Sequence, residues 1–209
     1  MGWATFDLNS AQYLIAVAVP GLDRSWAERI VAGESLWSII QQNLSKPVSK
    51  DTIKTSIYSI LFGAGAGENS KTEKAIKNNW EDKDLFLEYL NIPEIKELIH
   101  SRNKELRRLA QVKYVVDCNG EIFSHYKAPT LLSYLIQSYE LNLILPLLEY
   151  VIDSSHTEIA LHLHDGFSVN CRDKKRLPGL YNSLQKVLEE TAKKLGVLAK
   201  LEWENKGDN

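Results

Sequence analysis

The hydrophobic residues of this chain switch between a period of two and a period near four, and the switches mark its elements. WATFDL (3–8) reads as a short strand running straight into a helical stretch, SAQYLIAVAV (10–19), which Pro20-Gly21 stops. Ser25 is placed to cap a second helix, WAERIVAG (26–33), which Gly33 ends. A third runs through SLWSIIQQNL (35–44) before Pro47. Ser49 is a good N-cap for a fourth, with Asp51 in its first turn, and this helix dies in GAGAG (63–67). Residues 68–111 are polar and helical: the first half reads as surface, and IKELIHSRNKELRRLA (95–110) as one long amphipathic helix. VKYVV-DCNG-EIFSHY predicts a hairpin with Asn119-Gly120 in its turn. A long apolar helix over 129–152 follows, with Pro146 placed to kink it. TEIALHLHDGFSVNC (157–171) is a second hairpin, turning at Asp165-Gly166; residues 177–196 form a last helix and 197–204 a closing strand. No repeat, low-complexity tract or linker interrupts the series. The order predicts an α/β (α+β) fold: a small antiparallel sheet interrupted by a large helical insertion.

The most informative pattern lies in the fourth helix. Lys50, Lys54, Tyr58 and Phe62-Gly63 recur at four-residue intervals. Each step drifts about 40° and rises about 6 Å, so two cations and two aromatics share one stripe about 18 Å long. Cations at one end hold phosphates and flat rings at the other stack on a base, which is the shape of a nucleoside triphosphate. The plainer alternative is an amphipathic helix with an apolar core face and solvated lysines.

Composition narrows the classes. With 209 residues the chain is long enough for a real hydrophobic core, and 44% hydrophobic with 25% charged residues is ordinary for a soluble globular protein. A formal net charge of −2 gives no global attraction to nucleic acid. Locally, residues 100–113 carry Arg102, Lys104, Arg107, Arg108 and Lys113 against Glu105 alone, a stripe that suits either a phosphate backbone or a solvated helix face. Cys118 and Cys171 lack metal-ligand spacing and fit buried thiols in a reducing compartment. Neither an apolar run of membrane-spanning length nor a secretory signal appears, so the expectation is a cytoplasmic protein with no membrane partner. Asp7 ends the first strand and Asp165 sits at the second hairpin tip, where paired carboxylates can share divalent ions. Asp-Gly in a hairpin is also an ordinary turn.

Together these segments resemble the motifs of family A DNA polymerases, the polymerase I type. FDLNSAQYLIAVAV is similar to the first motif, with Asp7 on its metal-binding aspartate. KDTIKTSIYSILFGAGAG is similar to the second, where the family has Arg, Lys, an aromatic and Tyr-Gly, each four apart. ALHLHDGFSV is similar to the third, a strand ending in His-Asp-Glu, with His164 and Asp165 in place. ERIVAGESLW (28–37) and LEWEN (201–205) give weaker echoes, Trp37 standing where the family has a His.

The resemblance implies a palm over residues 1–20 and 128–209 and fingers over 21–127. It also implies template-directed addition of nucleotides to a primer 3′-OH by two-metal-ion phosphoryl transfer, with Mg²⁺ as cofactor and Mn²⁺ as a substitute. Asp7, Asp165 and the carbonyl of Leu8 become metal ligands. Lys54 neutralises the triphosphate and protonates pyrophosphate, Lys50 holds its far end, Tyr58 stacks on base and sugar, and Phe62 lies near the templating position. Gln12 gates the sugar. Gln137 and His164 touch primer or template, as do Arg107 and Arg108 of the basic stripe. His162 is assigned a structural role, and Trp26, Trp37, Trp80 and Trp203 are assigned to packing.

Departures from the family pattern are specific. Gln12 stands for a glutamate, Lys50 for an arginine, Phe62 for a tyrosine and Gly166 for the glutamate after the aspartate. A thumb and an exonuclease are missing from the resemblance. The expectation is therefore a fragment, or a minimal polymerase whose thumb comes from a separate chain or domain. A catalytically impaired nucleic-acid- or partner-binding domain and an RNA-priming polymerase are the alternatives.

Overall fold

The computed structural model describes residues 2–18, 25–62, 80–162 and 166–205. They fall into two compact units, one of residues 1–15 and 137–209 and the other of residues 16–136. The unit limits at 15/16 and 136/137 stand beside the expected limits at 20/21 and 127/128.

The first unit is built on a sheet of four antiparallel strands, β1 (Gly2–Leu8), β4 (Thr157–His162), β5 (Gly166–Cys171) and β6 (Leu201–Asn205), in the order β4-β5-β1-β6. Alternation along β1 sends Ala4, Phe6 and Leu8 to a buried face and Trp3, Thr5 and Asp7 to the other. The buried face is aromatic at its centre. Phe6 meets Phe167 with ring centroids 5.5 Å apart and Trp203 at 6.4 Å, and Trp203 stacks on Tyr181 at 5.8 Å. Tyr181 belongs to helix α8 (Leu177–Leu195), which covers this face with Leu180, Leu184 and Leu188 and ends at Gly196, whose φ of 69° suits glycine. Its Tyr181 hydroxyl donates to the Leu201 carbonyl (3.2 Å), and Gln185 Oε1 accepts from the Leu201 amide (3.1 Å), pinning β6 to the helix. Closing strand β6 is shorter than the expected 197–204, because Val197 and Ala199 are already spent in the core while Leu201–Asn205 pair with β1.

The second unit is helical. Helices α2 (Ser25–Val31), α3 (Leu36–Gln41), α4 (Lys50–Phe62), α5 (Lys83–Asn91) and α6 (Pro93–Val112) lead to a two-stranded ribbon, β2 (Tyr114–Val116) with β3 (Ile122–Ser124). The long amphipathic helix expected over 95–110 is α6, and it starts at Pro93, a position where a missing N–H costs nothing. The ribbon turns on Asp117, whose carboxylate accepts from the amides of Asn119 (2.8 Å) and Glu121 (2.9 Å), with Gly120 at φ 83°. Residues 63–79, and with them the end of the ladder in GAGAG, lie outside the described residues.

Two helices cross the unit limits, α1 (Ala11–Ala18) and α7 (Ala128–Ile152). Pro146 sits inside α7, and the helix is assigned without a break. By length and composition α7 is apolar enough to cross a membrane. Its Leu131, Ile136, Leu143, Ile144, Leu147 and Val151 are nonetheless buried within the protein, as a core helix requires. Cys171 is buried as expected, whereas Cys118 is only half-buried. His162, assigned a structural role, is exposed at the end of edge strand β4.

Candidate functional site

In the first unit the site is organised by strand register. Asp7 pairs across β1–β5 with Gly166 and across β1–β6 with Glu202. Antiparallel partners share a face, so Asp7 stands exposed between a residue with no side chain and a second carboxylate. Thr5, two residues back on the same face, exchanges a hydroxyl hydrogen bond with Ser168 (3.0 Å) and pairs with Glu204. Like charges directly opposite one another repel, so this edge of the sheet favours a cation. Glu202 went unnoticed in the sequence, because its partnership with Asp7 is a matter of register between strands far apart in the chain. His164 and Asp165 lie outside the described residues. Among the described residues no group of three metal-ligating side chains occurs.

Gly166 earns its place by proximity. A Cβ built on it would lie 2.6 Å from the Phe6 carbonyl oxygen and 2.8 Å from Asp7 Oδ1. The Asp7 carboxylate therefore occupies the space where a side chain at 166 would begin. Leu8 buries its side chain, which leaves only its backbone carbonyl for the role of ligand. After it the chain turns sharply into α1: Ser10 has φ 52°, and the Asn9 amide donates to the Lys200 carbonyl at 2.8 Å.

Gln12, in the first turn of α1, is half-buried, and its Nε2 lies 3.4 Å from Oε2 of Glu140 on α7. Glu140 is 4% exposed. A carboxylate is thus present beside position 12, supplied by another element. Gln137 lies one turn before Glu140 on α7 and is exposed. Nothing in the sequence marked Glu140, since a lone Glu in an apolar helix has no motif around it.

In the second unit the ladder forms as the spacing requires. Ser49 caps α4 by accepting from the Thr52 amide (3.1 Å). Ile53, Ser56, Ile57, Ile60 and Leu61 turn to the core, while Lys50 and Lys54 are exposed and Tyr58 and Phe62 half-buried. The Lys54 ammonium sits 5.8 Å from the centre of the Tyr58 ring, Tyr58 lies 6.4 Å from Phe62, and Trp37 meets Tyr58 edge-on at 6.2 Å. Cation and rings are therefore one continuous surface, stiffened from the side by Trp37. Trp26 and Trp80 are buried as assigned, and the Trp80 indole donates to the Ser56 hydroxyl at 2.8 Å.

The two arginines proposed for nucleic acid part company. Arg107 is exposed, and among the described residues it makes no ion pair. Arg108 is held by Glu105 through two hydrogen bonds of 2.8 and 2.6 Å, and that bonding raises its pKa further. Arg102 of the same stripe faces inward. It is 3% exposed, donates from Nη1 to Asn103 (3.2 Å), and burial lowers its pKa.

No family model matches the sequence, and no curated protein matches it. Among solved structures the fold is similar to the POL domain of Pol1 from M. smegmatis, determined in complex with DNA primer-template and dNTP, with a TM-score of 0.70 at 13% identity. The likeness covers 98% of this chain and 39% of that one, so the chain spans about two-fifths of the length of the structure it matches. The chain therefore has a polymerase I POL-type fold, as its motifs led one to expect.

Proposed function

We propose that this chain is a template-directed nucleotidyltransferase, a DNA polymerase that adds nucleotides to a primer 3′-OH. The observation that carries the reading is the pairing of Asp7 with Gly166 inside a polymerase-type fold, because Gly166 is covalently next to Asp165. The donor chemistry suits divalent cations: an exposed carboxylate at a strand end, with a second carboxylate opposite it across the β1–β6 pair. Asp7, Asp165 and the Leu8 carbonyl would hold the ions. When bound, such ions stabilise the attacking and leaving oxygens as Lewis acids.

The remaining work falls to side chains. Lys54 neutralises the triphosphate and supplies a proton to the departing pyrophosphate, and Lys50 holds its far end. Tyr58, fixed by Trp37 and Phe62, offers a flat face to the incoming base and sugar. Gln12 bounds the sugar with its amide oriented by Glu140. Gln137 and His164 contact primer or template. A thumb supplied by a separate chain or domain would need an apolar surface to bind. Leu141, Leu145 and Ile152 of α7, exposed by 47%, 41% and 69%, fall on one helical stripe.

The catalytic reading is tested by primer extension with Mg²⁺ or Mn²⁺, supplying dNTPs against rNTPs. Asp7→Asn and Asp165→Asn should each abolish extension, and an Asp165→Asn protein that extends like its parent sinks the reading. A second reading, a polymerase-like domain that binds nucleic acid without catalysis, draws on Gly166, which removes an acidic side chain. Triphosphate binding that tightens with added metal would count against it.

A further inference from the structure

At the end of the sheet away from Asp7, strand β5 finishes at Cys171, which pairs with Gly2 on one side and Thr157 on the other. Steps of about 3.3 Å per residue put Cys171 about 17 Å along β5 from Gly166. A cavity of about 810 Å³ opens here, walled by the end of α7, the segment leading into β4 and the start of α8. Small-molecule sites occupy about 300–1,000 Å³. The walls are tied together by the chain itself. The Arg172 amide donates to the His156 carbonyl (3.1 Å), the Thr157 hydroxyl to the Val151 carbonyl (3.2 Å) and the Cys171 thiol to the Asp173 carbonyl (3.1 Å). Asp173 Oδ1 accepts from the Lys175 amide (3.0 Å) and opens a short 3₁₀ turn, Lys174–Arg176, that runs into α8.

Charge beside this cavity runs against the helix. The amino end of a helix carries partial positive charge and favours carboxylates in its first turn. Lys174, Lys175 and Arg176 stand before α8 instead; its first turn holds no acidic residue, and no side chain caps it. Arg172 is paired with Glu158 at 3.6 Å. Lys175 and Arg176 are exposed and, among the described residues, make no ion pair. Both line the cavity, where Asp153 is the one carboxylate among the described residues. Gly179, in the first turn of α8, leaves that turn open to the cavity, since a Cβ built on it meets nothing within 4 Å. An anion in the cavity would relieve this excess of positive charge.

The rest of the lining bears on what carries the anion. Ser154, Ser155 and Ser183 bring hydroxyls, and Tyr150, 41% exposed, brings a flat ring. Cations suit a phosphate, hydroxyls and the Asp153 carboxylate suit a sugar, and a ring face suits a base. We propose that this cavity binds a nucleoside phosphate, with the phosphate held by Lys175 and Arg176 and the base laid on Tyr150. The site is separate from Asp7 and from the ladder of α4, and it does not rest on the catalytic reading.

The test is calorimetric titration of the full chain with AMP in EDTA, where no divalent ion assists the proposed catalytic carboxylates. Lys175→Gln/Arg176→Gln should weaken AMP binding roughly tenfold or more, since two charged contacts are lost. Tyr150→Ala should weaken AMP binding roughly tenfold and leave ribose 5-phosphate binding unchanged. Without ligand, the double variant should unfold at or above the temperature of its parent, because it removes cations from the amino end of a helix. Lost binding is then not lost folding. Equal AMP affinity in the parent and the double variant overturns the proposal, as does a parent that fails to bind millimolar AMP. A loss caused by Lys50→Gln/Lys54→Gln in place of the double variant moves the nucleotide to the ladder and overturns it too. An equal loss of AMP and ribose 5-phosphate on Tyr150→Ala removes the base from Tyr150. Binding is read without synthesis, so a chain that binds AMP here yet never extends a primer loses only the catalytic reading.

Discussion

Gly166→Ala is the most revealing single substitution, because it adds one methyl group beside the proposed catalytic carboxylate. That methyl would fall 2.6 Å from the Phe6 carbonyl oxygen, 2.8 Å from Asp7 Oδ1 and 3.3 Å from Asp7 Cα, where ordinary contact begins near 3.4 Å. The Asp7 side chain can rotate away. The Phe6 carbonyl cannot, since β1 is held by β5 on one side and by β6 on the other. Relief therefore requires β1 and β5 to separate by most of an ångström at this point, in a core where Phe6 already contacts Phe167 and Trp203. Overpacking of this kind costs about 1–3 kcal/mol. With a urea dependence near 2 kcal/mol per molar, the unfolding midpoint should fall by about 1 M. Extension should fall much further, because the displaced group is Asp7 itself. Gly166→Glu, which restores the residue of the resembling family, should be worse than Ala and not a gain of function. An alanine protein with its midpoint within about 0.3 M of the parent and with full extension would refute the argument from close approach.

Two other substitutions probe the environment of the site. Gln12→Glu would set a carboxylate against that of Glu140, 3.4 Å from the present amide. Repulsion raises the pKa of the pair, so the penalty should be absent near pH 4 and grow as pH rises towards 7, on the order of 1–3 kcal/mol. Urea unfolding across that range, with rescue by Glu140→Gln, checks it; a penalty independent of pH or of residue 140 would rule it out. Ser56→Ala leaves the buried Trp80 indole N–H, now 2.8 Å from the serine hydroxyl, without an acceptor. It should cost about 1–3 kcal/mol of stability by thermal or urea unfolding, and a change within experimental error would show that the pair is dispensable.

What the sequence disclosed was periodic or local. The ladder from Lys50 to Phe62 survives into the structure because its spacing is a property of one helix, and the β2–β3 ribbon because an Asn-Gly turn signal acts over a few residues. Pairing between distant segments was not legible. Glu202 faces Asp7 only because β6 returns antiparallel to β1 in one register, and a slip of one residue would have turned it to the other face. Glu140 reaches Gln12 only because α7 returns beside α1. Charge content also cannot say which arginines turn inward: Arg102 of the basic stripe is buried, while Arg108 stays at the surface in an ion pair with Glu105.

Packing and register also bear on the departures from the family pattern. Here the two departures in the first unit are each matched by a neighbour. Gly166 lacks a side chain where the Asp7 carboxylate and the Phe6 carbonyl leave no room for one, and Gln12 donates towards a buried glutamate that a carboxylate at 12 would repel. Restoring the family residue at either position should therefore injure the protein. Injury on restoration would show that both positions are packed around their present residues.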